Sequence, residues 1–423
     1  MIGTSIGTTA TSATINVAGN ATTTAAGVIL NVYGVNNVTH FSGGIATLIQ
    51  GGGTNTLNNA TYTLGTVYNN TDFIVGTITK TANTVTIATT AASTLPAAYW
   101  IGGLAGNTNV WAASNGTSAS NWRDSSGTAS AVVPGSTTDV VISSSNLGSP
   151  ITPVLAATGT LLGTDMIIQS LTIADTATAF RLNADGYRLT ISPIDSSTGI
   201  TMNANIPAST ISAIVALGAS QTWTNNSGNS LTVSGAVSGG FSLTKAGAGT
   251  LVLSGSNNYS GGTAINAGTL VAGSAGALPA TRAVTLGGGT LSTGTVGVSS
   301  NPLGTLTVNG TSGITLASNA HTLTFTTPIY MGGTLNVTGY AGFGGNSTSG
   351  QILFSGYGSN AATAISSNTA FLANVQFASY ALGDATFIAN GSNVELVPVP
   401  EPGTLLLFGT AGLAAVRTLR RRK

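Results

Sequence analysis

The sequence predicts an all-β fold, a solenoid of stacked coils, followed by a single C-terminal transmembrane helix. Three observations carry this. Apolar and polar residues alternate in short bursts separated by Gly, Asn and Ser, which is the pattern of strands and turns. The tripeptide Gly-Thr-Leu occurs at Gly159 and then recurs at Gly249, Gly268, Gly289, Gly304 and Gly333, with steps of 19, 21, 15 and 29 in the later series. Residues 397–423 run from a proline-rich stretch through an uncharged apolar segment into a basic end.

Composition sets the frame. The chain has 423 residues, of which 42% are hydrophobic and 5% charged, against roughly 25% charged in an ordinary globular protein. Its exposed surface must therefore consist of short hydroxyl and amide side chains. The aliphatic content and its alternation separate it from disordered Gly/Ser/Thr-rich chains. Five of the 11 basic residues (Arg417, Arg420, Arg421, Arg422 and Lys423) lie in the last seven positions. The other six face 10 acidic residues, so the body carries a net charge of −4. No basic patch exists to follow a phosphate backbone, which argues against nucleic-acid binding. The absence of Cys removes disulfides, thiolate nucleophiles and Cys-based metal sites.

Residues 1–94 are rich in Thr, Asn and Gly, with strand bursts such as Ile45–Ile49, Phe73–Val75 and Val85–Ile87. They form a β module, separate from the solenoid or continuous with it, and Thr94–Ala97 is its boundary. Met1–Ala10 has neither a charged n-region nor an apolar h-region, so the true start of an exported chain is expected upstream.

Residues 95–396 form the solenoid. A period near 20 suits a coil of two or three short strands with Gly at the corners. Inward Leu, Val and Ile of one coil are buried by the next. The clearest stretch, 243–273, reads Leu-Thr-Lys-Ala-Gly-Ala-Gly-Thr-Leu-Val-Leu-Ser-Gly and, from Asn257, Asn-Asn-Tyr-Ser-Gly-Gly-Thr. It resembles the autotransporter-associated β-strand repeat. That resemblance implies a right-handed parallel β-helix passenger. Autotransporters end in a membrane β-barrel, whereas this chain ends in Arg-Arg-Arg-Lys, so self-translocation is not implied.

In 397–423 the prolines hold the chain extended. The uncharged run 403–416 is 14 residues, about 21 Å as a helix, against a bilayer core of about 30 Å. Thr418, Leu419 and a snorkelling Arg417 make up part of the difference. Arg417, Arg420, Arg421, Arg422 and Lys423 keep their end cytoplasmic and orient the body outward. Pro400-Glu401-Pro402, the apolar run and the Arg-rich end together resemble the PEP-CTERM sorting signal of Gram-negative bacteria, over 398–423. The resemblance implies that exosortase, a membrane protease or transpeptidase of exopolysaccharide-producing cells, recognises Pro400, Glu401 and Pro402. It implies transient anchoring in the inner membrane, then delivery to the cell surface or extracellular matrix.

Catalysis, metals and cofactors are not expected. Glycoside hydrolysis needs two facing carboxylates. Asp165, Asp175, Asp185 and Asp195 are spaced by ten, but Asp favours turns and no His, Lys or Glu lies among them. The two histidines, His40 and His321, cannot make a metal triad. No Walker loop or Ca²⁺-binding nonapeptide occurs. Trp100, Trp111, Trp122 and Trp223 could stack on sugars, but end-closing or core roles suit them better. Thr-x-Thr pairs, as at Thr61/Thr63, Thr77/Thr79, Thr84/Thr86, Thr222/Thr224 and Thr324/Thr326, put two hydroxyls on one strand face. They do not fall at coil spacing, which weighs against an ice-binding array. The expected role is a structural or adhesive surface protein in a biofilm matrix, with exopolysaccharide as a partner. The alternatives are a polysaccharide-active β-helix enzyme and a glycan- or ice-binding module.

Overall fold

A computed structural model describes residues 2–6, 15–17, 27–34, 44–144, 159–176, 178–194, 197–294, 302–316, 321–340 and 350–399. They fall into two compact units, Met1–Gly261 and Gly262–Lys423. The fold is all-β and mostly parallel, as the sequence predicts.

The first unit opens with two four-stranded sheets. Strands Ile2–Ile6, Gly27–Gly34 and Thr61–Tyr68 pair in parallel, and Ala113–Ser114 joins them antiparallel. Strands Ile15–Val17, Gly44–Gly51, Thr84–Ala91 and Phe73–Lys80 form the second sheet. Alternation sends Leu30, Val32, Leu48, Val67, Phe73, Val75, Val85 and Ile87 into one buried cluster.

Next comes a stack of coils built on three parallel faces. One face holds Ala97–Trp100, Asp139–Ser143, Ser170–Asp175, Thr198–Met202, Gln221–Asn225 and Leu243–Ala246. A second holds Met166–Ile168, Arg188–Ile191, Ile214–Leu217 and Val237–Gly239. The third holds Arg181–Leu182, Ser209–Ile211, Leu231–Val233 and Thr250–Leu253. The coil length shows in contacts between neighbours. Ser234 Oγ donates to Ser212 Oγ, 22 residues back, and Asn257 Oδ1 accepts from Val237 N, 20 residues back.

The second unit repeats the design. Thr263–Ile265, Val284–Leu286, Leu306–Asn309 and Pro328–Gly332 make one face. Thr269–Ala272, Thr290–Ser292, Ser312–Thr315, Leu335–Thr338 and Val375–Phe377 make another. Leu270, Leu291, Ile314 and Val337 stand in one fully buried column along it. The stack ends where Thr322–Phe325 and Gln351–Phe354, still parallel, meet the antiparallel hairpin of Ala385–Asn390 and Asn393–Pro398. Helices Ala361–Ser367 and Thr369–Leu372 pack beside it, the first capped by Asn360, whose Oδ1 accepts from Thr363 N at 3.0 Å. Phe354, Phe371 and Phe387 close this end, with ring centroids 5.5–6.3 Å apart. The hairpin gives the outer edge of Gln351–Phe354 an antiparallel partner in place of another coil.

Among the described residues no helix is long and apolar enough to cross a membrane. The segment expected to span, 403–416, lies outside them.

Candidate functional site

The expected sorting residues Pro400, Glu401 and Pro402 lie outside the described residues, as do Arg417, Arg420, Arg421, Arg422 and Lys423. The chain leading to them is well held. Asn393–Pro398 is paired along its length with Ala385–Asn390, and Val399 N donates to Asp384 O at 3.0 Å. Val394, Leu396 and Val397 are fully buried. Glu395 is buried between them, its Oε2 accepting from Asn390 Nδ2 at 2.9 Å and from Gln351 Nε2 at 3.3 Å. Burial raises its pKa above the ordinary carboxylate value, against the lowering effect of those bonds.

Within the 243–273 stretch, the motif residues have local causes. Gly247 has φ +74°, and a Cβ there would lie 2.4 Å from Asn225 O. A Cβ on Gly249 would lie 2.2 Å from Ser227 O. The coils approach so closely because Asn225 ties them. Its Nδ2 donates to Asn229 O and to Thr250 O, and its Oδ1 accepts from Ser227 N, all within 2.9 Å. Lys245 shares its strand parity with Leu243, so it points inward and is fully buried. Nζ donates to Ala246 O and Gly247 O, both at 2.7 Å. Desolvation pushes the ammonium down to about 8.

Residues 243–272 match the Passenger-associated-transport-repeat family, and residues 398–423 match the PEP-CTERM protein-sorting motif. The chain carries both motifs. A stretch of 62 residues is 53% identical to Adhesin BmaC autotransporter of Brucella suis biovar 1 (strain 1330), covering 15% of this chain and 2% of that adhesin. No solved structure matches the chain. The sorting motif and the passenger repeat support an exported surface protein.

The remaining sequence candidates resolve into structural roles. Trp100, Trp111 and Trp122 pack on one another with centroids 5.0–6.3 Å apart, and Trp122 Nε1 donates to Trp111 O at 2.7 Å. Trp223 is buried in the stack, its Nε1 donating to Gln221 Oε1. All four lie inside, so sugar stacking on them is excluded. Asp165 accepts from Arg188 N at 2.8 Å, Asp185 from Gly163 N at 2.7 Å and Asp175 from Ser144 N at 2.9 Å. Each carboxylate thus fastens a turn, while Asp195 lies outside the described residues. His321 is fully buried, which lowers its pKa, and His40 lies outside the described residues.

One expectation is corrected. The pair Thr222/Thr224 does stack at coil spacing: Thr222 stands between Thr198 and Thr244, and Thr224 stands beside Thr201, which stands beside Thr172. The sequence hides this because a bulge at Thr198/Ile200 lengthens one coil.

Among the described residues, shallow grooves open on the outer faces. One, of about 220 Å³, is lined by Thr290, Ser312, Thr315, Asn336 and Thr338. Several of its polar atoms are spent on each other: Thr338 Oγ1 donates to Thr315 Oγ1, and Asn336 Nδ2 to Ser312 O. Another, of about 400 Å³, includes Asp139. Asp139 is silent in the sequence because nothing in the strand 139–143 marks which coil neighbours it meets.

Proposed function

We propose that this chain is a structural and adhesive protein of the cell surface or extracellular matrix, processed by an exosortase at Pro400-Glu401-Pro402. The observation that carries the reading is the join between the two parts. A capped stack of nearly uncharged coils ends in a fully paired strand at Pro398, where the matched sorting motif begins. Cutting within 400–402 would release the body without removing a strand from it. Before the cut, the run 403–416 holds the chain in the inner membrane with the basic end in the cytoplasm.

A non-catalytic role accords with the carboxylates, since Asp165, Asp175 and Asp185 serve backbone turns. The likeness to a stretch of a protein named an adhesin supports attachment as the task. We assign the coils the right-handed winding implied by their repeat, and exopolysaccharide of a biofilm matrix as the partner. Hydroxyl-covered, nearly uncharged coils suit many weak contacts with such a polymer.

The test is the C-terminal mass of the protein recovered from its native host, with and without exosortase. A mass ending near Pro400-Glu401-Pro402 that shifts when exosortase is absent supports processing. An intact Arg-Arg-Arg-Lys end in both strains overturns it.

A further inference from the structure

The groove that includes Asp139 combines fixed polar groups with an exposed apolar rim. It lies where the strands Asp139–Ser143, Ser170–Asp175 and Thr198–Met202 run side by side, and its walls include Asp139, Gln169, Ser170, Thr172, Ile194 and Thr198. Asp139 Oδ1 accepts from Gln169 Nε2 at 3.1 Å and from Ser170 Oγ at 2.6 Å. Those two bonds fix the carboxylate and the amide in place. Asp139 Oδ2 and Gln169 Oε1 accept no hydrogen bond among the described residues, so two strong acceptors stand side by side at the groove wall. Ile194 is 74% exposed at the rim, a large apolar side chain with no burial to explain it.

These features specify a ligand. It must donate hydrogen bonds to adjacent acceptors, tolerate hydroxyls around it, and offer an apolar face to Ile194. An anion is disfavoured, because among the described residues the groove lining holds a carboxylate and no cation, and the body is net negative. A peptide or nucleic acid finds neither an apolar pocket nor a basic track here. A pyranose meets every requirement, with vicinal hydroxyls on its edges and C–H groups on its faces. From the groove, Thr172, Thr201 and Thr224 continue along the same sheet face in one column, and Thr198, Thr222 and Thr244 in another. A longer chain of sugars could lie along them, one coil spacing at a time.

The geometry points to a binding groove for neutral polysaccharide on this face, anchored by Asp139 and Gln169 with Ile194 as the apolar rim. This rests on the adhesive reading above and gives it a ligand class. The proposal is one of binding: among the described residues the groove wall carries one carboxylate, Asp139, whereas glycoside cleavage calls for two.

The test uses the full chain in mild detergent, by affinity electrophoresis in gels containing dextran, yeast mannan, laminarin or polygalacturonate. At least one neutral polymer should retard the wild type, and polygalacturonate should not. Asp139→Asn and Gln169→Ala should each weaken retardation by about tenfold, the scale of one lost hydrogen bond to a charged or fixed polar group. Ile194→Ala, at an exposed position that cannot disturb the core, should weaken it by about threefold or more. Thr290→Ala, in the other groove, should leave it unchanged. The proposal is overturned if no neutral polymer retards the wild type, if polygalacturonate does so equally, or if Ile194→Ala and a folded Asp139→Asn both behave as wild type. Surface display is read separately by cell fractionation. A chain that reaches the surface yet binds no neutral polymer overturns the groove and leaves the surface role standing. A chain that never reaches the surface overturns that role instead.

Discussion

Lys245 gives the stack a stability that depends on pH in a defined direction. The side chain is fully buried, and desolvation lowers the ammonium from its usual 10.5 to about 8. Below pH 8 both folded and unfolded chains hold the proton, so this residue adds no slope. Between pH 8 and 10.5 the unfolded chain keeps a proton that the folded chain has lost, so stability rises with pH. At about 1.4 kcal/mol per pH unit, the rise from pH 8 to 10 is about 2–3 kcal/mol. That is a readable part of the 5–15 kcal/mol typical of a folded domain. The perturbation is Lys245→Met, which keeps the length of the side chain and removes the charge. The carbonyls of Ala246 and Gly247 lose their donors in the variant, and this offsets part of the gain from not burying an ion. Urea unfolding at intervals from pH 7 to 10 is the assay, stopping where tyrosines begin to ionise. Wild type should gain stability across the upper half of that range. Lys245→Met should be flat there and at least as stable as wild type at pH 7. A wild-type profile that is flat, or a variant that keeps the slope, would refute the assignment.

Three further perturbations probe how the coils hold together. Asn225→Ala strips partners from Asn229 O, Thr250 O and Ser227 N at once, and should lower stability by about 1–3 kcal/mol in thermal or urea unfolding. Gly249→Ala places a methyl 2.2 Å from Ser227 O, and should cost about 1–3 kcal/mol in the same assay. Leu291→Ala empties the middle of the column Leu270, Leu291, Ile314, Val337, and should cost about 2–5 kcal/mol, read by the unfolding midpoint of the full chain.

Much of the stack was legible because strand parity is local. Leu243 and Leu251 each stand beside a threonine, Val252 falls between Leu251 and Leu253 at the half-buried position, and all three leucines are buried. The same parity placed Lys245 inside, a conclusion open to anyone who let the pattern outweigh the charge. The uneven steps of 15 and 29 between Gly-Thr-Leu tripeptides have a physical reason. Gly249, Gly268, Gly289 and Gly333 precede strands of one kind of face, but Gly304 precedes Leu306–Asn309, on a different face. The position that matches the others is filled by Ser312-Gly313-Ile314, where Ile314 stands beside Leu291 and Val337. A stack asks only for an apolar residue at that rung, so the motif can change while the coil persists. The helices at 361–372 were invisible because Ala361–Ser367 buries only Ala364 and has no apolar stripe to betray it. The antiparallel hairpin at the C-terminal end was hidden for another reason. Its pairing is set by coil ends distant in sequence, and Phe354, Phe371 and Phe387 reveal their shared cluster only in three dimensions.

Glu395 joins that closing cluster to the sorting motif. It sits in the last paired strand, buried, and its carboxyl is held above the ordinary range chiefly by desolvation. The Tyr340 phenol, itself pushed upward by burial and by this carboxylate, is the titratable group beside it. A raised carboxyl pKa means that the folded chain holds a proton that the unfolded chain releases first. Stability from this group is therefore full below the unfolded value and falls as pH rises toward the folded one. Glu395→Gln keeps an amide that can bond Asn390 and Gln351 and removes the titration. It should remove that fall above the ordinary carboxylate range and protect the amides of 393–397 from hydrogen exchange at neutral pH better than wild type does. Unchanged exchange in the variant would mean that the carboxylate is accommodated at no cost. The strand before the cleavage motif would then be held by backbone pairing and by Val394, Leu396 and Val397 alone.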